Sequence, residues 1–208
     1  WVSGVALGAE GGGSIEGRVR VVDAKGNPVK RPPPVVVFVE GLVEPFRASS
    51  MPEVSQEHRQ FKPEVLVVPL RTRVAFPNRD QVDHNVFSIA PDQPIDLGLY
   101  GPGTSKSVTF ERPGATRLYC NVHPEMIADV VVVTNPYYAM VGAEGTFTIP
   151  GVPPGSHVLR AWLPTGPSVA TTVSVTGGQK RELALEVKET VSSSEHDNKH
   201  GEPYKQGY

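Results

Sequence analysis

One cysteine and three methionines occur in 208 residues. A single thiol excludes an internal disulfide, so cysteine usage does not report the redox compartment. Long apolar runs are missing too, and no stretch reaches the length of about 20 residues that a membrane-spanning helix needs. The formal net charge is only −2, with no basic run and no aromatic residues interleaved with lysine or arginine, which argues against a nucleic-acid partner. No segment shows the 3.6-residue apolar period of an amphipathic helix. Serine-nucleophile and His-x-His motifs are absent. "GPGTSK" (101–106) lacks both the spacing of a phosphate loop and a helix pattern after it, and reads as a turn.

What the sequence does have is 21 glycines, 21 prolines and many short valine clusters. "SIEGRVRVV", "EVLVV", "RVAFPN", "DHNVFSIA", "SKSVTFE" and "IADVVVVTN" are strand-length runs bounded by turn residues. After Asn135 the rhythm resumes with "GTFTIP", "HVLRAWLP", "SVATTVSVT" and "RELALEV". The expected class is all-β, with sandwiches as the architecture.

The lone thiol stands in "LYCNVHPEM" (118–126), where Cys120, His123 and Met126 fall within one short loop. These are soft or borderline metal donors. A fourth, His84, lies upstream in "FPNRDQVDHNVFS". Two imidazoles, a thiolate and a weak thioether are the ligand set of an electron-transferring blue-copper centre. Structural zinc makes poor use of a thioether. A binuclear copper centre needs two bridging cysteines, and a Cys-His nucleophile has no use for the methionine. All four positions come from protein, so no place is left for a substrate, and the chain is expected not to be an enzyme.

"VAFPNRDQVDHNVFSIA" through "YCNVHPEMIADVVVV" resembles the cupredoxins, type 1 blue-copper proteins of the plastocyanin/amicyanin kind. The Cys-x-x-His-Pro-x-Met loop is most similar to the amicyanin branch. The resemblance implies a Greek-key β-sandwich holding one copper that cycles between Cu(II) and Cu(I). It implies ligation through Nδ1 of His84 and His123, the Cys120 thiolate and an axial Met126. Asn85 would donate its backbone N–H to the Cys120 sulfur, while its side chain pins the two ligand-bearing segments. His123 would present its edge at the surface within an apolar rim, for which Leu97, Leu99, Pro102 and Pro124 are candidates. The partners implied are redox proteins such as a c-type cytochrome or a membrane electron-transfer complex. One departure is the turn "PLRT", where cupredoxins commonly carry glycine.

"GSIEGRVRVVDAKGNPV" with "VVVFVEG", and later "GAEGTFTIPGVPPGSHVLRAW", resemble a carboxypeptidase regulatory-like β-sandwich. The separation between these parts far exceeds ordinary loop lengths. We therefore expect residues 45–136 as a copper domain set into a discontinuous domain of 15–44 and 137–187; the alternative is two sandwiches in tandem. Residues 1–14 read as the end of an export segment and a linker, with small Ala6 and Gly8 before a cleavage point. A periplasmic or otherwise exported location, soluble or peripherally attached, follows as the expectation. Residues 188–208 are too polar to bury much surface. They are expected as a flexible tail that docks on a protein partner, with His196 and His200 as bystanders. His58 reads as a surface residue and His157 as structural or exposed. Alternative functions are a structural or accessory subunit of a larger assembly, and copper delivery or storage.

Overall fold

In "SIEGRVRVV" aliphatic and charged residues alternate, and in the computed structural model they form β1 (Gly13–Val22). Ile15, Val19 and Val21 are buried while Arg18 and Arg20 face solvent, as the two-residue period of a strand requires. The structure describes residues 11–190 and 198–204, so the expected export segment lies mostly outside the described residues. No helix occurs among the described residues, and therefore none long and apolar enough to cross a membrane.

After β1 comes β2 (Val36–Glu40), followed by a run of shorter strands: β3 (Ser55–Glu57), β4 (Gln60–Lys62), β5 (Val65–Pro69), β6 (Thr72–Pro77) and β7 (His84–Ser88). The run continues with β8 (Ile95–Tyr100), β9 (Ser105–Phe110), β10 (Gly114–Tyr119) and β11 (Ile127–Val133). The chain then forms β12 (Tyr138–Met140), β13 (Thr146–Val152), β14 (Gly155–Trp162), β15 (Val169–Val175) and β16 (Lys180–Lys188). Two compact units result. Among the described residues one comprises 11–45 and 134–190, and the other 46–133 and 198–204.

In the first unit β1 lies between β13, antiparallel, and β16, parallel; a second sheet has the order β12-β2-β14-β15. Ile15, Val37, Phe147, Ile149, Leu159 and Val187 from both sheets share one core. Gly17 has no room for a Cβ, which would press on the Leu183 carbonyl oxygen and the Phe147 ring.

The second unit has a five-stranded sheet of order β5-β11-β10-β7-β8, with the β6-β9 pair and the β3-β4 hairpin as its other layer. Val74 and Phe76 of β6 and Phe110 of β9 meet Val86, Leu118, Val130 and Val132 of the larger sheet in one core. In the "PLRT" turn Arg71 takes a φ of 64°, the left-handed conformation that glycine adopts without steric cost. Its N–H is held by the Phe110 carbonyl. "GPGTSK" is a turn closed by a Thr104-to-Gly101 backbone bond and leads into strand β9. Phe76 is fully buried at the centre of this core, so Phe76→Ala is expected to cost about 3–5 kcal/mol, read as a lowered denaturation midpoint.

Candidate metal centre

Strand β7 delivers His84, and all five of its residues are buried. The other candidate donors sit on the hairpin loop between β10 and β11, whose strands pair from Gly114↔Val132 to Tyr119↔Ile127. Backbone bonds from Cys120 N to Met126 O and from Met126 N to His123 O close this loop. Tyr119 pairs with Phe87 of β7, which brings the loop beside His84. The donor atoms of His84, Cys120 and His123 lie within 4.8 Å of one another, and all three residues are buried.

Their arrangement is a triangle. The two Nδ1 atoms are 3.1 Å apart, and Cys120 Sγ is 3.9 Å from that of His84 and 3.8 Å from that of His123. A point equidistant from the three atoms lies about 2 Å from each, the length of a first-row metal–nitrogen bond. Met126 is fully buried in the same core cluster as Cys120.

Groups around the donors favour metal binding. His84 Nε2 lies 2.8 Å from Asp80 Oδ2, so Nε2 carries the ring proton and Nδ1 turns a lone pair toward the centre of the triangle. Burial, with His84 close by, holds His123 below the usual histidine range and so keeps it neutral. Burial pushes the Cys120 thiol up, although backbone N–H groups of Asn85, Val122 and His123 on the sulfur work the other way. A thiol in such a place gives up its proton to a metal rather than to water. Burial would also raise the Asp80 carboxyl, but the Arg59 N–H, the His84 ring and the His58 N–H together hold it below the usual carboxylate range.

No protein-family model and no curated protein matches the sequence. Solved structures do. A purple cupredoxin from Nitrosopumilus maritimus is 24% identical, with 39% of this chain and 99% of that one covered and a TM-score of 0.36. A reduced amicyanin variant is 23% identical over 47% of this chain and 98% of its own, at a TM-score of 0.39. The copper-containing nitrite reductase NirK from Thermus scotoductus is 24% identical over 44% of this chain but 26% of its own, at 0.39. The second unit is a β-sandwich by its own sheet order and shared core. Donor atoms of this chain, rather than these likenesses, carry its chemistry.

Within this second unit, the Asn85 backbone N–H reaches the Cys120 sulfur. Its side chain does not pin the ligand loop: Nδ2 donates to Asp96 at 2.9 Å, and Oδ1 is buried with no hydrogen-bond partner among the described residues. His123, expected at the surface, is only 8% exposed. Of the expected rim, Leu99 is 56% exposed and stands opposite Asn85 in register, Pro102 and Pro124 are exposed, and Leu97 packs partly against the core. The His58 side chain is exposed. His157 is buried and bonded to the Pro153 carbonyl. His200 is exposed, while His196 lies outside the described residues.

Sequence reasoning missed Asp80, Asp96, Lys199 and Tyr204. Asp80 gives a signal in hindsight, a carboxylate four residues before a ligand histidine. The other three reach the site only through folding. Residues 198–204, expected within a disordered tail, have defined partners on the ligand loop of this same chain: the Tyr204 hydroxyl donates to the Cys120 carbonyl at 2.7 Å, and the Lys199 N–H to Asn121 Oδ1 at 2.9 Å.

Proposed function

We propose that the chain is a mononuclear type 1 copper protein that carries single electrons between redox partners in an exported compartment. The observation that carries this reading is the buried triangle of two imidazole Nδ1 atoms and one cysteine Sγ. Two neutral imidazoles with a thiolate select a soft or borderline transition metal over calcium or magnesium. Bound copper would supply a one-electron couple.

Every other part belongs to the chain. His84 and His123 hold their Nδ1 atoms in fixed places, and Cys120 gives a thiolate whose charge is spread into three N–H bonds. Met126, buried in the same core cluster as Cys120, would supply a weak fourth donor. Burial of all four residues keeps water out, and the closed loop resists rearrangement, so both oxidation states meet the same donors. A centre whose candidate donors are all buried suits an electron carrier better than an enzyme, which needs an open position. Its partners would be a c-type cytochrome or a membrane electron-transfer complex, met through the face around Leu99.

Titration with copper, followed by visible absorption and paramagnetic resonance, tests the proposal. One copper per chain is expected, with an intense thiolate-to-copper band, a narrow hyperfine splitting and no turnover of nitrite. A colourless protein that binds copper stoichiometrically would count against it, and nitrite turnover would make it an enzyme.

A further inference from the structure

The peptide that follows Cys120 is held from a distant part of the chain. Besides the bonds from Tyr204 and the Lys199 N–H, the Lys199 ammonium lies 2.7 Å from Asp96 Oδ2. Asp96 is itself built into the site, because its Oδ1 accepts from Asn85 Nδ2 and from the Gly98 N–H, each at 2.9 Å. Burial acts to raise the Asp96 carboxyl, yet Lys199, Gly98 and Asn85 together hold it at about 2.

The segment that supplies these contacts is closed on itself. Asn198 Oδ1 accepts the N–H groups of His200 and Glu202, the Asn198 N–H donates to the Glu202 carbonyl, and Gly201 turns the chain at a φ of 74°. An asparagine turn of this kind prepays part of the ordering entropy that a polar strand would otherwise lose on docking. Tyr204 and Lys199 then leave the turn toward the ligand loop.

We infer that residues 198–204 are an intrachain clamp on the metal-ligand loop, with Tyr204 and Lys199 as positioning residues that fix the Cys120 peptide and the Asn85–Asp96 pair and so set the reduction potential. The inference rests on the copper reading above. Tyr204 fixes the plane of the Cys120–Asn121 peptide, and the next two N–H groups, of Val122 and His123, are those that point at Cys120 Sγ. Lys199 fixes Asp96, which orients the residue directly after His84.

The sign of the effect follows from charge. The oxidised centre carries one more positive charge than the reduced one, and a nearby cation or the positive end of an O–H dipole disfavours it. Both clamp groups therefore raise the potential, and losing either lowers it. Lys199 and Asp96 are partly exposed, so solvent and salt screen their share, and Tyr204 has the larger effect.

The test uses the full chain with Tyr204→Phe, Lys199→Ala and Lys199→Arg. In the copper-free protein, amide exchange at Val122 and His123 should rise about fivefold in Tyr204→Phe, the factor one net hydrogen bond supplies, while β1 and β16 exchange as before. In the copper-loaded protein the potential should fall in Tyr204→Phe and Lys199→Ala and recover in Lys199→Arg. Unchanged exchange at Val122 and His123, or an unchanged potential in Tyr204→Phe, overturns the clamp. Should wild-type protein fail to take up copper with a thiolate band, the copper reading fails instead, and exchange in the copper-free protein still decides whether the segment holds the loop.

Discussion

Cys120→Ser is expected to abolish the visible band of the copper-loaded protein and to weaken copper binding by more than about 100-fold, beyond the loss typical of a partner that merely supports a ligand. The band needs a thiolate donor orbital, and a serine hydroxyl neither ionises near neutral pH nor offers one. Two imidazoles and the candidate Met126 thioether would remain, a ligand set without the negative charge of the native one. The fold should survive. Cys120 is fully buried, but the N–H groups of Asn85, Val122 and His123 that point at the sulfur can donate to an oxygen in its place, so the copper-free variant should lose no more than about 1–2 kcal/mol. Absorption of the loaded protein and far-ultraviolet dichroism of the copper-free one separate the two effects. An intense visible band in Cys120→Ser would remove Cys120 from the metal centre.

Strands with strong valine content were legible because each carries its own signal. "IADVVVV" must be buried wherever it goes, and it becomes β11, between β5 and β10. The strands that escaped are short or polar: β3 and β4 flank "HR" in "SQEHRQFK", β8 contains Gly98, and β12 has three residues. Their pairing comes from tertiary context, such as the bridges Glu53↔Ala75 and Gln56↔Asn78 that join the β3-β4 region to β6. Buried Gln56 shows the same limit. Its side-chain amide donates to the Tyr100 hydroxyl and the Phe76 carbonyl, a use that glutamine in a polar stretch does not announce. For the site, donor type, order and strand context together singled out His84, Cys120, His123 and Met126, since few chemistries want that set. The groups that orient them are ordinary aspartates, a lysine and a tyrosine, and those residue types resemble surface until the chain has folded. Burial of the His123 edge was equally illegible, because it depends on what the rest of the unit lays around the loop.

Asp80→Ala is expected to lower copper affinity about 10- to 100-fold, the range for losing the carboxylate partner of a ligand histidine, and to loosen the β3-β4 hairpin. Both effects come from one side chain. Oδ2 of Asp80 meets His84 Nε2 at 2.8 Å and the Arg59 N–H at 2.8 Å, while Oδ1 takes the His58 N–H at 2.6 Å. His58 and Arg59 form a two-residue hairpin turn with φ of 57° and 56°, a mirror-image turn suited to asparagine and glycine and costly for larger residues. Asp80 offsets that cost by accepting both N–H groups and in return is held where its carboxylate fixes the His84 tautomer. Alanine removes all three bonds, leaving His84 Nε2 without its acceptor and the ring free to present the wrong nitrogen. The two roles separate in a double background, for His58→Asn with Arg59→Gly should restore the turn of the Asp80→Ala protein without restoring its affinity. Chelator competition reads affinity, and amide exchange at positions 58 and 59 reads the hairpin. Full recovery of affinity once the turn is repaired would mean that Asp80 acts on copper only through the hairpin, and an affinity unchanged in Asp80→Ala itself would mean that the His84 ring is oriented by its burial alone.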